Sequence, residues 1–373
     1  MKNVYLDNAA TTPIRQEVAD VMVKVMLEDY GNPSSTHSFG RSAKNLLELS
    51  RKSIAKNLNV NAQEIIFTSG GTEANNWILR SVVRDLKIQR IISSRIEHHA
   101  VTYTLEALQK EYNVEVDYVN IKNCGNVDAT HLVELLSNKS TTLVSLMHVN
   151  NEIGTMIDLH KIGTICREHN AYFHSDTVQS LGKIALDLKE LPIDFLVASA
   201  HKFHGPKGVG FAFSRKGISL NPILVGGEQE KGQRAGTEGL HNIVGMAKAL
   251  EISMEKLEAE TAYILELKNY CTEKLKTVFD NIKINGEHTF YNIINVSLPI
   301  SSEKASLILF NLDMKGIAVS RGSACQSGSN KPSHVLAEML NVNDLEKPNI
   351  RISFSHYNTK NDIDYLIEVL GGI

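Results

Sequence analysis

The sequence predicts an α/β fold in which helices flank a mostly parallel sheet, with a second, smaller α+β domain attached. Three observations carry that prediction. Helical and strand patterns alternate from the start of the chain to about residue 215. The strand-like stretches are short, continuous apolar runs, as in strands buried on both faces. The 373 residues also exceed the ~250–300 at which a single hydrophobic core stops growing, so two domains are expected.

Taken in order, Val18, Val21, Met22 and Val25 have helical spacing, as do Ala43, Leu47, Ile54 and Leu58. The apolar runs are Ile65-Ile66-Phe67, Ile91-Ile92, Leu143 to Met147, Tyr172-Phe173 and Phe195-Leu196-Val197. Right-handed crossovers should join them. From Leu240 to about Phe279 the chain is rich in Glu, Lys and Leu and free of proline, which predicts one or two long helices. Ile293 to Leu298, an apolar helix around Ala305 to Leu312, and Ile350 to Phe354 then give the smaller domain. The expected boundaries are 14–256 for the large domain and 257–373 for the small one.

Composition excludes several classes. Hydrophobic residues make up 42% and charged residues 22%, the balance of an ordinary soluble chain. A formal net charge of −3 gives no reason to expect nucleic acid or an anionic membrane as partner. No stretch approaches the ~20 apolar residues of a membrane span, and Met1 to Asp7 holds no signal-peptide run. Cys124, Cys166, Cys271 and Cys325 are scattered without a C-x-x-C pair. Neither a disulfide framework nor a metal site is indicated, and a cytoplasmic location is expected.

The polar residues just beyond each apolar run are the strongest signal. Ile65-Ile66-Phe67 leads to Thr68-Ser69-Gly70-Gly71-Thr72-Glu73, and Ile91-Ile92 leads to Glu97-His98-His99-Ala100. The run ending at Met147 leads to His148-Val149-Asn150-Asn151-Glu152. Tyr172-Phe173 leads to His174-Ser175-Asp176-Thr177-Val178-Gln179, and Phe195-Leu196-Val197 to Ser199-Ala200-His201-Lys202. Ligands of open parallel sheets bind beyond the carboxyl ends of the strands, so these five polar clusters should converge on one pocket.

Each cluster has a chemistry. The Ser-Gly-Gly-Thr turn opening a helix can cradle a phosphate on backbone N–H groups, although alone it reads as well as a capped helix start. It lacks the Gly-Lys-Ser/Thr of a nucleotide P-loop. Lys202 is a candidate nucleophilic amine, preferred to Lys207, which stands between proline and glycine in a turn. Such a lysine can carry pyridoxal 5'-phosphate as a Schiff base. Asp176 would then keep the pyridine nitrogen protonated and the ring electron-poor, and His98 would stack on the ring and move protons.

These residues resemble a known family. Tyr5 to Thr12, Gly31-Asn32-Pro33-Ser34-Ser35, Thr68 to Glu73, Glu97-His98, His148 to Gly154, Asp176 to Gln179 and His201-Lys202 are similar to motifs of the cysteine desulfurases. These are pyridoxal-phosphate enzymes of fold type I with a class V aminotransferase fold. Arg234-Ala235-Gly236-Thr237, Ser320 to Cys325 and Arg351-Ile352-Ser353 extend the likeness over nearly the whole chain.

The resemblance implies a role for each matching residue. Lys202 would hold the cofactor, Asp176 its ring nitrogen and Gln179 its ring hydroxyl, with Asn151 beside that hydroxyl and the substrate. Thr72, Ser199 and His201 would hold the phosphate, with the Gly71 backbone close by. Thr237 would reach the phosphate of a neighbouring subunit, which implies a homodimer. Arg351 would clamp the carboxylate of L-cysteine, with Asn32 nearby. Cys325 would take the sulfur as a persulfide, releasing L-alanine. Residues 1–13 would pack against the small domain.

Cys325 stands among glycines and serines, seven positions before Pro332. That predicts a mobile segment. It resembles the longer-loop group of the family, which delivers sulfur to iron–sulfur scaffold or other acceptor proteins. The rival activities are selenocysteine lyase, which shares the chemistry, and another fold type I aminotransferase, which needs no cysteine on such a segment. A non-catalytic sulfur-relay scaffold would have no use for Lys202, Asp176 and His98 together.

Overall fold

The computed structural model describes residues 3–138, 140–300, 307–321 and 333–372. After a two-residue strand β1 (Val4–Tyr5) come seven strands of one sheet. They are β2 (Ile65–Thr68), β3 (Arg90–Ser93), β4 (Glu115–Tyr118), β5 (Thr142–Ser145), β6 (Tyr172–Asp176), β7 (Phe195–Ser199) and β8 (Gly210–Ser214). Their order is β2-β8-β7-β6-β5-β3-β4. The pairs β7–β6, β6–β5, β5–β3 and β3–β4 are parallel, and β8 runs antiparallel to both of its neighbours.

Successive residues of these strands enter different cores, because strand side chains alternate between faces. Ile65, Phe67, Leu196, Ala198, Phe211 and Phe213 face one core. Ile66, Phe195, Val197 and Ala212 face the other. Helices α1 (Gln16–Glu28), α2 (Ser38–Asn57), α5 (Ala129–Leu136), α6 (Leu159–Glu168) and α7 (Leu240–Glu255) close the first, as Val18, Leu47, Leu132, Ile162 and Met246 show. Helices α3 (Gly71–Asp85) and α4 (His99–Tyr112) close the second through Trp77, Ile78, Val101 and Leu105. The result is a helix–sheet–helix sandwich, the architecture expected from the continuous apolar runs.

A further core lies apart from the main sheet. It is built on β9 (Lys283–Ile284), β10 (Ile293–Ser297) and β12 (Asn349–Ser353), antiparallel in the order β12-β10-β9. Helix α8 (Leu257–Val278) contributes Ile264, Leu267, Cys271 and Leu275, and the helix Lys360–Gly371 contributes Ile363, Leu366 and Leu370. Val4 and Leu6 belong to the same core, and β1 pairs with β11 (Ile317–Ala318).

The long Glu/Lys/Leu-rich stretch is two helices meeting at Lys256, within the one or two expected. Two details differ from the sequence expectation. The helix expected near Ala305 to Leu312 spans Ile308–Met314 among the described residues. Two strands of the main sheet, β4 and β8, have no counterpart among the five apolar runs: β4 is a half-exposed edge strand whose Glu-Val-Asp-Tyr alternates, and β8 is the fully buried Gly-Phe-Ala-Phe-Ser.

Candidate active site

The carboxyl ends of β2, β3, β5, β6 and β7 open on one cavity of about 430 Å³. Among its lining residues are Gly71, Thr72, His98, Asn151, Asp176, Gln179, Ser199, His201, Lys202 and Arg351. The convergence predicted for five separate strand ends is therefore present. Lys207 also lines it but is exposed. Asn32 and Thr237 are exposed and do not line this cavity; Thr237 borders a smaller one of about 110 Å³ beside Ser69 and Arg234. Cys325 lies outside the described residues.

The cradle is the turn from β2 into α3. Gly70 has φ 149°, a value open to glycine and hostile to other residues. A Cβ on Gly71 would stand 2.8 Å from Cγ2 of Val178. Glycine here lets the helix start press close to Val178, and the first turn of a helix, whose N–H groups lack partners within the helix, lines the cavity. Glu73 accepts from the Ser69 N–H at 2.8 Å and from Arg234 Nε at 2.8 Å, which ties the turn to the 228–237 region.

Asp176 ends β6 and is only 5% exposed. Its Oδ2 accepts from Asn75 Nδ2 at 2.8 Å and its Oδ1 from the Val178 N–H at 3.0 Å. Both bonds fix its direction. Asn75 was not singled out by sequence. Its signal is an amide on the buried face of α3, three residues beyond Thr72 and flanked by buried Ala74 and Trp77.

Lys202 closes the turn Ala200–Lys202 after β7, and its Nζ donates to the carbonyls of Ala9 at 2.7 Å and Ala10 at 2.8 Å. Gln179 Nε2 donates to the same Ala9 carbonyl at 2.8 Å. Residues 9–11 thus line the cavity wall, held by Thr12 N–H on the His201 carbonyl at 2.9 Å and by Thr11 Oγ1 on His201 Nδ1 at 3.1 Å. Burial, with Lys202, Lys207 and Lys183 adding to it, pushes His201 down to about 3, so its ring is neutral.

His98 caps α4: its Nδ1 accepts from the Ala100 N–H at 3.1 Å. The neutral ring therefore carries its proton on Nε2. Burial lowers its pKa; Asp176 opposes this, and Lys202 and His334 add to it. Its neighbour Glu97 is buried and accepts from Ser94 Oγ at 2.7 Å and Met147 N–H at 3.0 Å. Desolvation still pushes that carboxyl up to about 8. Behind the floor, burial pushes the Lys183 ammonium down to about 7, with Lys202 and Arg351 as neighbouring charges.

Arg351, on β12, brings the second core to the cavity. It is 1% exposed; Nη1 donates to the Asn151 carbonyl and Nη2 to Asp7 Oδ1, each at 2.7 Å. Its Nε is buried without a partner. A planar fork held on two sides suits recognition of a small carboxylate.

A lysine at a strand end, a buried carboxylate behind the cavity and a glycine cradle define a fold type I cofactor enzyme. Residues 4–366 match the class-V aminotransferase family. The chain belongs to that family, in its cysteine desulfurase branch. It is 41% identical over 371 residues to cysteine desulfurase IscS of Dictyoglomus turgidum, covering 99% of this chain and 94% of that one. A NifS-like protein of known structure superposes with a TM-score of 0.91 at 35% identity, covering 100% and 99% of the two chains. SspA, solved in complex with cysteine, superposes with a TM-score of 0.83 at 30% identity, covering 96% and 100%. The chain is a pyridoxal-phosphate-dependent enzyme.

The residues present fit that cofactor. Gln179 lines the cavity, and its Oε1 is buried without a hydrogen-bond partner, free to accept from a ring hydroxyl. Asp176 keeps carboxylate lone pairs for a ring N–H. Thr72, Ser199 and His201 stand with the α3 N-terminus as donors for a phosphate. Among the described residues no group of His, Cys, Asp and Glu could hold a metal ion, and no helix is long and apolar enough to cross a membrane.

Proposed function

We propose that this desulfurase removes sulfur from L-cysteine, releases L-alanine and holds the sulfur as a persulfide on Cys325 for an acceptor protein. The observation that carries this reading is the placing of Lys202, Asp176, His98 and Arg351 around one cavity. The likeness to a protein solved with cysteine supports the substrate.

Lys202 would anchor the cofactor, which supplies an electron sink for charge developing on the substrate carbons. Asp176, oriented by Asn75, keeps the ring nitrogen protonated. Arg351 and Asn151 take the substrate carboxylate, with Asn32 at the rim. His98 holds a proton at Nε2 over the cavity. The balance is closed: the Cβ–S bond of cysteine breaks, an S–S bond to Cys325 forms, and a proton takes the place of sulfur on carbon. The fragment leaves as alanine, and no outside oxidant or reductant is needed.

The other thiols suit this role poorly. Cys166 and Cys271 are buried, which pushes the Cys271 thiol up to about 12 and that of Cys166 further, and Cys124 does not line the cavity. The exposed Thr237, outside its own chain's cavity, supports a homodimer in which it serves the partner's phosphate site. The acceptor is an iron–sulfur scaffold or a thiolation protein, and the setting is the cytoplasm. The two cores are read as a large domain over 14–256 and a small one over 257–373, with residues 1–13 packed on the latter.

The test is incubation of the holoenzyme with L-cysteine, and separately with L-selenocysteine, while alanine is counted. Alanine from cysteine, in step with persulfide on Cys325, is expected. Alanine from selenocysteine alone would replace the reading with a selenocysteine lyase.

A further inference from the structure

The two stems flanking residues 322–332, the stretch that contains Cys325, are fastened to the cavity walls. On the upstream side, Ser320 bridges antiparallel to Arg351: the Arg351 N–H donates to the Ser320 carbonyl at 2.6 Å, and the Ser320 N–H donates back at 3.2 Å. On the downstream side, Ser333 Oγ donates to Glu152 Oε2, next in sequence to Asn151. His334 Nε2 donates at 2.9 Å to the carbonyl of Glu97, next to His98. The His334 ring also packs on His99, with centroids 4.6 Å apart.

A separate apolar cluster reinforces the downstream stem. Val335, Leu336 and Met339 pack against Ile96 and Ile153, which neighbour Glu97 and Glu152. None of these residues belongs to the three larger cores. The cluster therefore joins the downstream stem to the loops bearing His98 and Asn151, with Ile121, Leu340 and Leu345 packed at its edge. Ser333 has a second duty: its Oγ accepts from the Val335 and Leu336 N–H groups and so starts the turn His334–Ala337. Glu152 is 1% exposed, and loss of the Ser333 hydroxyl would remove a donor from a buried carboxylate.

We propose that Ser333 and His334 are positioning residues that dock the downstream stem on the walls carrying Asn151 and His98, and so set how Cys325 reaches the substrate sulfur. The proposal rests on the reading of Cys325 as sulfur acceptor. It separates two events: binding of cysteine at the cavity, which the dock leaves alone, and capture of sulfur, which it governs.

The test compares Ser333→Ala, Ser333→Thr and His334→Phe holoenzymes in a single turnover with L-cysteine. His334→Phe keeps a ring against His99 and loses the donor to Glu97. Persulfide formation on Cys325 should slow about 10-fold in Ser333→Ala, the loss of one buried charge-assisted hydrogen bond, and recover in Ser333→Thr. The visible absorbance change on adding cysteine should keep its amplitude and half-saturation in all three. Wild-type persulfide rates in Ser333→Ala and His334→Phe would overturn the proposal. So would a slowing matched by an equal loss of cysteine half-saturation. Should Ser333→Ala fail to fold, His334→Phe carries the test. Cys325→Ser is run alongside. Wild-type alanine release from it would refute the acceptor reading itself, whereas an inactive Cys325→Ser with normal dock variants would refute the dock alone.

Discussion

At the floor of the cavity Asp176, Lys202 and Gln179 each have fixed partners within the chain: Asn75 and the Val178 N–H, the Ala9 and Ala10 carbonyls, and the Ala9 carbonyl. At the rim, Asn32 and Thr237 are exposed and stand outside the cavity. The floor sits on strand ends of a sheet buried on both faces, where a side chain's direction follows from the pleat. The rim sits on surface loops with no such constraint. One chain thus presets the groups at the floor, while Asn32 and Thr237 take no part in its cavity, as the proposed homodimer would require of Thr237.

Removal of the floor's amine should have the largest effect. Lys202→Ala should lose the covalent hold on the cofactor, shown by failure of borohydride to fix it to the protein, and with it all measurable turnover. Retention of reducible attachment at wild-type level would move the anchor elsewhere. Asp176→Asn comes next. Removing a preorganised charge from a buried site costs about 10²-fold or more in kcat, and the cofactor should bind more weakly. Near-normal turnover would take Asp176 out of the chemistry.

A smaller effect is expected at the rim, where Thr237→Val should weaken cofactor binding by about 10-fold through loss of one hydrogen bond to a phosphate. Mixing Thr237→Val with Lys202→Ala chains under conditions of subunit exchange should regenerate one site with both residues and raise activity above either parent. No rise, with exchange demonstrated, would place Thr237 in its own chain's site or in none.

The pH profile separates floor from solvent more gently. Burial lowers the His98 pKa, so its ring is neutral at pH 7. Protonation must occur at Nδ1 and break the bond from the Ala100 N–H. The loss of kcat/KM on acidification should therefore fall below the ordinary histidine value of about 6.5. An acid limb at or above that value would contradict a buried, capping His98.

The same contrast explains what could be read from the sequence. The five polar clusters were legible because each comes directly after an apolar run and a parallel sheet brings such ends together. Asn75 was not, because an amide inside a helix reads as surface until Trp77 and Ala74 bury that face. The carbonyls of Ala9 and Ala10 on Lys202 left no trace, since a backbone oxygen is the same in every residue. Strand β8 was not read at all, and with it went the antiparallel pairs it makes with β2 and β7.

Cofactor chemistry on the floor should be separable from sulfur capture by Cys325, and everything proposed for this enzyme depends on that separation. It is measured most directly by alanine release and peptide mass for Cys325→Ser holoenzyme given L-cysteine, with the visible spectrum followed throughout. The spectrum before cysteine and its first change on mixing should match the wild type, while alanine release and persulfide both vanish. Alanine at the wild-type rate, with sulfur leaving as free sulfide or appearing on Cys124, Cys166 or Cys271, would contradict the separation.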